Sequence, residues 1–351
     1  MEQVLPRAAT RNRSDVIAFA VLGGLVVVLA IAGLALGPVP LSPAQVIGAL
    51  FGAGDAMESA IVWEIRLPRI VLAIAVGSAL ALSGAALQGV LRNPLADPGL
   101  IGVTGGASLG AVATIVLGGL VAGSLPAGLR PYMLPISAFL GAGLVIAFVF
   151  GLARRHGETS VATLILAGVA VNAIAGAAIG AMVYVSDDQQ LRDLTFWTMG
   201  ALGGAGWTLV MAATILTLGA LPLLLLRTRD LDLFQLGERA AFHAGLDVEQ
   251  SKMLIGLATA VAVGAVTAAA GPIGFIGLVA PHLVRLALGP RHAVLLPASL
   301  LTGVALVLAA DLAVRLAVPP AEPPIGLATS LIGGPFFLWL LLRGQGMRRH
   351  A

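Results

Sequence analysis

Apolar runs separated by charges, prolines and glycine pairs recur along the whole chain. A hydrocarbon core of ~30 Å takes about 20 helical residues to cross, so these runs are candidate membrane spans. Ten spans are predicted, at residues 15–36, 64–91, 99–122, 132–153, 160–184, 194–226, 251–270, 273–289, 293–316 and 325–342. The sixth is too long for one straight crossing, which predicts a short non-spanning helix at its start. The first follows Arg7, Arg11 and Arg13 but exceeds the roughly 7–15 apolar residues of a secretory signal core, so it reads as a retained helix. Two connecting segments are more than turns. Residues 37–63 hold an amphipathic turn and acidic residues without lysine or arginine, and residues 227–252 form the largest polar segment. Gly237 and Gly245 break that second segment into two short helices outside the bilayer.

Charge fixes the direction of threading. With the N-terminus inside, fifteen of the twenty lysines and arginines fall on the cytoplasmic side, leaving Arg66, Arg69, Arg130, Arg192 and Arg315 outside. That bias is what the positive-inside rule asks of an even number of spans, and both termini are then cytoplasmic. Composition agrees. Of 351 residues 58% are hydrophobic and 11% charged, and the mean hydropathy is +1.00, which describes a chain built for lipid. The fold class is an all-α polytopic membrane protein, with residues 1–351 forming a single transmembrane domain. The pI near 10.1 does not point to nucleic acid, because the arginines are scattered singly between apolar runs. Without cysteine there is no disulfide or thiolate metal site.

The forty-five glycines suit close helix packing. Gly77, Ala81, Ala85 and Gly89 share one face of the second span, which reads as plain packing. Gly168, Asn172, Gly176 and Gly180 share a face of the fifth, where Asn172 either bonds a neighbouring helix or lines a wet cavity. No span carries a central carboxylate, and Asp311 and Arg315, one turn apart, read as an ion pair near the outer end of the ninth. A secondary transporter normally needs intramembrane carboxylates or broken-helix ion sites, and an intramembrane enzyme needs catalytic pairs. His156, His243, His282, His292 and His350 all fall at or near the inner face, and no His-x-x-x-His, Gly-x-Ser-x-Gly or phosphate-loop motif is present. The chain therefore reads as a pore subunit driven by a partner.

Five stretches carry a family resemblance: RLPRIVLAIAVGSALALSGAALQGVLRNPLADPGLIGVTGGASLG (66–110), LAGVAVNA (166–173), FWTMGALGGAGW (196–207), GPIGFIGLVAPHLVRL (271–286) and PPIGLATSLIGGPFFLWLLL (323–342). In order and nearly end to end, they resemble the permease subunits of type II ABC importers for haem, ferric siderophores and vitamin B12, the FecCD type. The resemblance implies a ten-helix permease in the bacterial inner membrane. It would work as a homodimer with two ATP-binding cassette ATPase subunits and a periplasmic substrate-binding protein. ATP and Mg²⁺ would belong to the ATPase, with no cofactor or metal in this chain.

Residue roles follow from the same resemblance. Arg66, Arg69 and Arg315 correspond to outer-face arginines that dock the binding protein. ERAAFHAG (238–245) is similar to the coupling-helix signature. There Glu238 and Arg239 would pair with the rim of an ATPase cleft, while Ala241 or Gly245 would permit close seating. The cytoplasmic gate would draw on Asn93, Leu95, Thr159, Ser160 and Val161, and the pathway would be lined by spans five and ten, including Asn172 and Gly176. Val161 and Ala162 depart from the hydroxyl-rich gate of cobalamin permeases. With FWTMGALGGAGW, that places haem first as substrate, ferric siderophore second and cobalamin third. GPIGFIGLVAPHLVRLALGP (271–290) reads as an outer hairpin and a short helix kinked at Pro281, with His282 and Arg285 toward the inner face.

Overall fold

The computed structural model describes residues 5–155, 157–319 and 321–348; His156 and His350 lie outside them. The helices in chain order are α1 (Leu5–Ala35), α2 (Pro43–Leu50), α3 (Ala56–Ala60), α4 (Leu67–Val90), α5 (Val103–Ala122), α6 (Met133–Ala153), α7 (Val161–Val185) and α8 (Asp188–Thr198). They continue as α9 (Trp207–Leu225), α10 (Thr228–Phe234), α11 (Glu238–His243), α12 (Val248–Ala270), α13 (Ile276–Leu288), α14 (His292–Ala317) and α15 (Ile325–Arg348). Among the described residues eight helices are long and apolar enough to cross a membrane. The shorter apolar helices Ile276–Leu288 and Ile325–Leu338 bring the bundle to ten. The long sixth run resolves into α8 followed by α9. Asp187 caps α8 with a reciprocal Gln190 box, and Gly200 and Gly204, both at positive φ, turn the chain before Trp207.

α4 is the axis of the fold, with almost every residue from Pro68 to Val90 buried. Lipid tails are as apolar as leucine, so this enclosure depends on fit rather than on leaving water. Its small residues supply the fit. At Gly77 a Cβ would lie 2.6 Å from the Gly303 carbonyl of α14, and at Gly84 one would lie 2.0 Å from the Gly277 carbonyl of α13. The packing reading of the second span's small face thus holds, with α14 against Gly77 and Ala81 and with α10 and α14 at Gly89, while Gly84, off that face, meets α13. Just before α4, residues Ile61–Arg66 form a π-helical turn. Pro68 has no N–H and its ring crowds the carbonyl four residues back, so the ladder widens there.

α13 has only thirteen residues, about 20 Å, and begins three residues later than the apolar pattern predicts. Phe275 explains the delay: it sits at φ 69, in the left-handed region, and its carbonyl accepts the N–H groups of Leu278 and Val279. The extended piece before it is no free hairpin. Gly271 and Ile273 are buried, the Ala201 N–H donates to the Ala270 carbonyl (2.7 Å), and Gly200 and Gly326 press on the Pro272 and Met199 carbonyls. Non-helical backbone inside a bundle is tolerated when protein covers it in this way.

Candidate coupling site and translocation pathway

The polar segment 227–252 folds as two short helices, as its glycines predict, and is fastened to the bundle. Leu231 and Phe234 of α10 are fully buried, Asp230 accepts from Ser251 Oγ of α12 (2.7 Å), and Asp232 accepts from His292 N and contacts His292 Nδ1 of α14 (2.6 Å). α11 starts after Gly237 at φ 101 and ends in a Schellman turn. Gly245, at φ 85, donates to the Phe242 carbonyl and Leu246 N donates to that of Ala241. Only the left-handed residue closes this turn, so Gly245 has a conformational role as well as an open surface.

The four residues assigned to this helix separate. Arg239 and Gly245 are exposed, and with Phe242 they border a depression of about 910 Å³. Ala241 faces inward and is fully buried, so it offers no surface for seating, and the neighbouring Phe242 is the exposed side chain. Glu238 is committed within the chain. Its Oε2 accepts from Lys252 Nζ at 2.7 Å, and the same ammonium donates to the Thr159 carbonyl (2.8 Å) and Glu249 Oε1 (3.1 Å). Lys252 is 2% exposed, and its three donors all find acceptors. Glu249 Oε2 also accepts the Thr159 N–H (2.8 Å), so both backbone groups of Thr159 are held by α12.

The gate candidates lie at this same end. Thr159 belongs to a two-residue antiparallel pairing of Arg154–Arg155 with Glu158–Thr159, Ser160 caps α7 by accepting from Thr163 N, and Val161 packs on the main core. Thr159 and Val161 share a small internal pocket with Leu87, Val90 and Leu91 at the end of α4. In the loop that follows α4, Asn93 Oδ1 accepts the Leu95 N–H (2.9 Å) and the Leu95 side chain is exposed. Thr159, Ser160 and Val161 thus anchor α7, whereas Leu95 projects freely. Next in the chain, Asp97 caps the 3-10 turn Pro98–Ile101 through Gly99 N. Burial pushes its carboxyl above the usual range, against the pull of that N–H.

Asn172 resolves the alternative left open by the sequence. Its Nδ2 donates to the Gly99 carbonyl at 2.8 Å, so it ties α7 to the 98–101 turn rather than presenting its amide to a cavity. Gly168 packs on the Leu100 carbonyl, while Gly176 and Gly180 face open space. Of the two pathway candidates, Gly176 remains on an uncovered face.

At the opposite end of α4 the three arginines read as exposed docking charges are instead buried, each at 3–5% exposure. Arg66 donates to the carbonyls of Leu34, Ala35 (2.9 Å) and Val39, and Arg315 to that of Gly33 (3.2 Å), satisfying groups at the C-terminus of α1. Arg69 pairs with Asp311 (2.8 Å) and Glu322, and Arg315 Nε lies 3.3 Å from Asp311. The predicted Asp311–Arg315 pair is present, inside a four-residue cluster. Positive charge against the trend is matched here by carbonyls at the end of α1 and by the carboxylates of Asp311 and Glu322.

Residues 25–343 match the FecCD transport family. The chain belongs to the FecCD transport family. The hemin transport system permease protein of Yersinia pestis is 48% identical over 288 residues, covering 82% of this chain and 85% of that protein. The cobalamin import system permease protein of Halobacterium salinarum is 43% identical over 291 residues, 83% of this chain and 75% of that one. A solved structure described as an inward-facing conformation of a metal-chelate type ABC transporter superposes with a TM-score of 0.82 at 32% identity, covering 93% of this chain and 99% of the other.

The FecCD chain is therefore an ABC importer permease, a transport subunit of a multi-pass membrane protein class that implies ATPase and substrate-binding partners. In the family stretch 271–290 the polar side chains are engaged inside the bundle. His282 meets the ring of Phe336 edge-on at 6.3 Å, and Arg285 Nη2 donates to Gln88 Oε1 (2.9 Å), whose amide in turn donates to the Gly277 carbonyl (3.2 Å). Both side chains face α15 and α4 inside the FecCD bundle, not the α10–α11 segment.

Proposed function

We propose that the chain is the pore-forming subunit of an ATP-driven importer that moves haem from a periplasmic binding protein to the cytoplasm. The observation that carries this reading is the 48% identity to a hemin transport permease. Two copies of the chain would enclose the pathway. In support, α7 and α15 leave large apolar side chains uncovered, among them Leu166, Ile174, Leu331 and Ile332. Two ATPase subunits, carrying ATP and Mg²⁺, would seat on Arg239, Phe242 and Gly245. A haem passing such a pathway needs no side-chain iron ligand, since tight binding in transit would slow release.

Coupling follows from the bonds of Lys252. A push on α11 displaces Glu238, which pulls through the ammonium on the Thr159 carbonyl and on the start of α7. One buried cation thereby joins the ATPase-facing helix to a pathway helix. For substrate, the complex with its ATPase and binding protein is reconstituted in liposomes and offered haem, a ferric siderophore and cobalamin. ATP-dependent uptake of haem alone is expected; uptake of either other compound with none of haem overturns the assignment.

A further inference from the structure

Outside the bundle, α6 and α12 lie side by side and leave a groove of about 710 Å³ between them. One wall is Phe139, Gly143, Ala147 and Phe150 of α6, spaced to share a face, and the other is Met253 and Leu257 of α12, each about half exposed. The glycines here make no close helix contact. A Cβ added at Gly143 or Gly151 meets nothing within 4 Å, so their effect is to keep the groove open. From Phe139 to Gly151 the groove runs about 18 Å, a little over half of the ~30 Å hydrocarbon core and thus the depth of one leaflet.

The groove ends in charge, at the level where α6 stops and α12 begins. Arg154 lines it and is exposed, with no ion pair among the described residues. Asp247, also exposed, uses Oδ1 to cap α12 through Gln250 N (2.9 Å) and keeps Oδ2 available. Glu249 adds no free charge, because Lys252 and the Thr159 N–H already occupy it. Among the described residues the mouth thus offers one free cation and one free anion above an apolar slot. We propose that this groove is a phospholipid site for a zwitterionic headgroup bearing a primary ammonium, the phosphatidylethanolamine class, in the leaflet on the α10–α11 side. Arg154 takes the phosphate and Asp247 the ammonium, while one acyl chain fills the slot. A purely anionic headgroup leaves Asp247 facing negative charge, and a quaternary ammonium has no N–H to donate.

The test is native mass spectrometry of the purified permease–ATPase complex titrated with phosphatidylethanolamine, phosphatidylcholine and phosphatidylglycerol. One phosphatidylethanolamine per permease chain is expected, held about tenfold more tightly than either other lipid. The double variant Gly143→Leu with Gly151→Leu fills the slot from positions where an added Cβ meets no protein atom and removes that lipid; Gly219→Leu, whose Cβ is equally unobstructed but on α9, does not. Asp247→Asn keeps the helix cap and lowers phosphatidylethanolamine to the level of phosphatidylcholine. Equal retention of the three lipids, or retention unchanged in the filled groove, overturns the proposal.

Discussion

Replacing Lys252 with methionine tests whether a single buried ammonium couples α11 to α7. Methionine keeps an unbranched apolar stem, one atom shorter, and loses the ammonium with its charge and three donors. A bond to a charged group contributes about 1.5–3 kcal/mol, so three suggest a large loss. Two terms reduce it. Glu238 and Glu249 retain 39% and 25% side-chain exposure and rehydrate when released, and the variant no longer bears the cost of burying an ammonium. The Thr159 carbonyl, in a residue 7% exposed, is the acceptor with least recourse to water. The net local loss is then about 1–2 kcal/mol, close to a tenfold weakening of the α11–Thr159 link.

That loss is too small to unfold a ten-helix bundle, and it falls on the transmission step. In liposomes containing the full transporter, uptake per ATP hydrolysed is expected to drop about tenfold while ATP hydrolysis changes by about twofold at most. Glu238→Ala cuts the same link from the other side, so the double variant is expected to be no worse than either single one. Parallel loss of uptake and hydrolysis would mean that Lys252 only holds the fold. Additive defects in the double variant would mean that Glu238 and Lys252 act separately. Either result refutes the relay.

Three further predictions concern single contacts. Gly84→Ala places a methyl 2.0 Å from the Gly277 carbonyl, so α4 and α13 must separate; a stability loss of about 1–3 kcal/mol is expected, read as a lower melting temperature in detergent. Gly245→Ala, at φ 85, costs about 1 kcal/mol at the Schellman turn and impairs uptake, whereas Gly245→Asn, which accepts the left-handed region, retains most of it. Equal defects in the two variants would show that size rather than conformation matters there. Asn172→Leu leaves the Gly99 carbonyl without its donor, and a loss of about 0.6–1.7 kcal/mol in stability is expected; a change in transport with unaltered melting would return Asn172 to the pathway.

The readable and unreadable parts of this chain divide by the distance between partners. Span limits, the split of the sixth run and the two helices of 227–252 were legible because each depends on neighbours: an apolar run, a capping Asp187, a glycine at positive φ. Arg66, Arg69 and Arg315 were legible as positive charge on the side where positive charge is rare, but not as buried charge. Burial follows from α1 ending against α4 and α14, which brings Leu34 to Arg66 and Asp311 to Arg69 across 32 and 242 positions. Lys252 shows the same limit more sharply. In sequence it is one more cytoplasmic cation in a tally, because its partners at 159 and 238 belong to other elements. A lysine just inside the start of a span, followed by eighteen uncharged residues up to Ala270, does carry one signal. An ammonium at that boundary either snorkels or finds carboxylates, and Glu238 and Glu249 stand within fourteen residues before it. Ala241 failed for a different reason: in the six-residue α11, one turn and a half, periodicity cannot say which face is inward. The inward face is set by α10 beneath it, and that puts Ala241 inside and Phe242 outside, where an ATPase subunit would meet it.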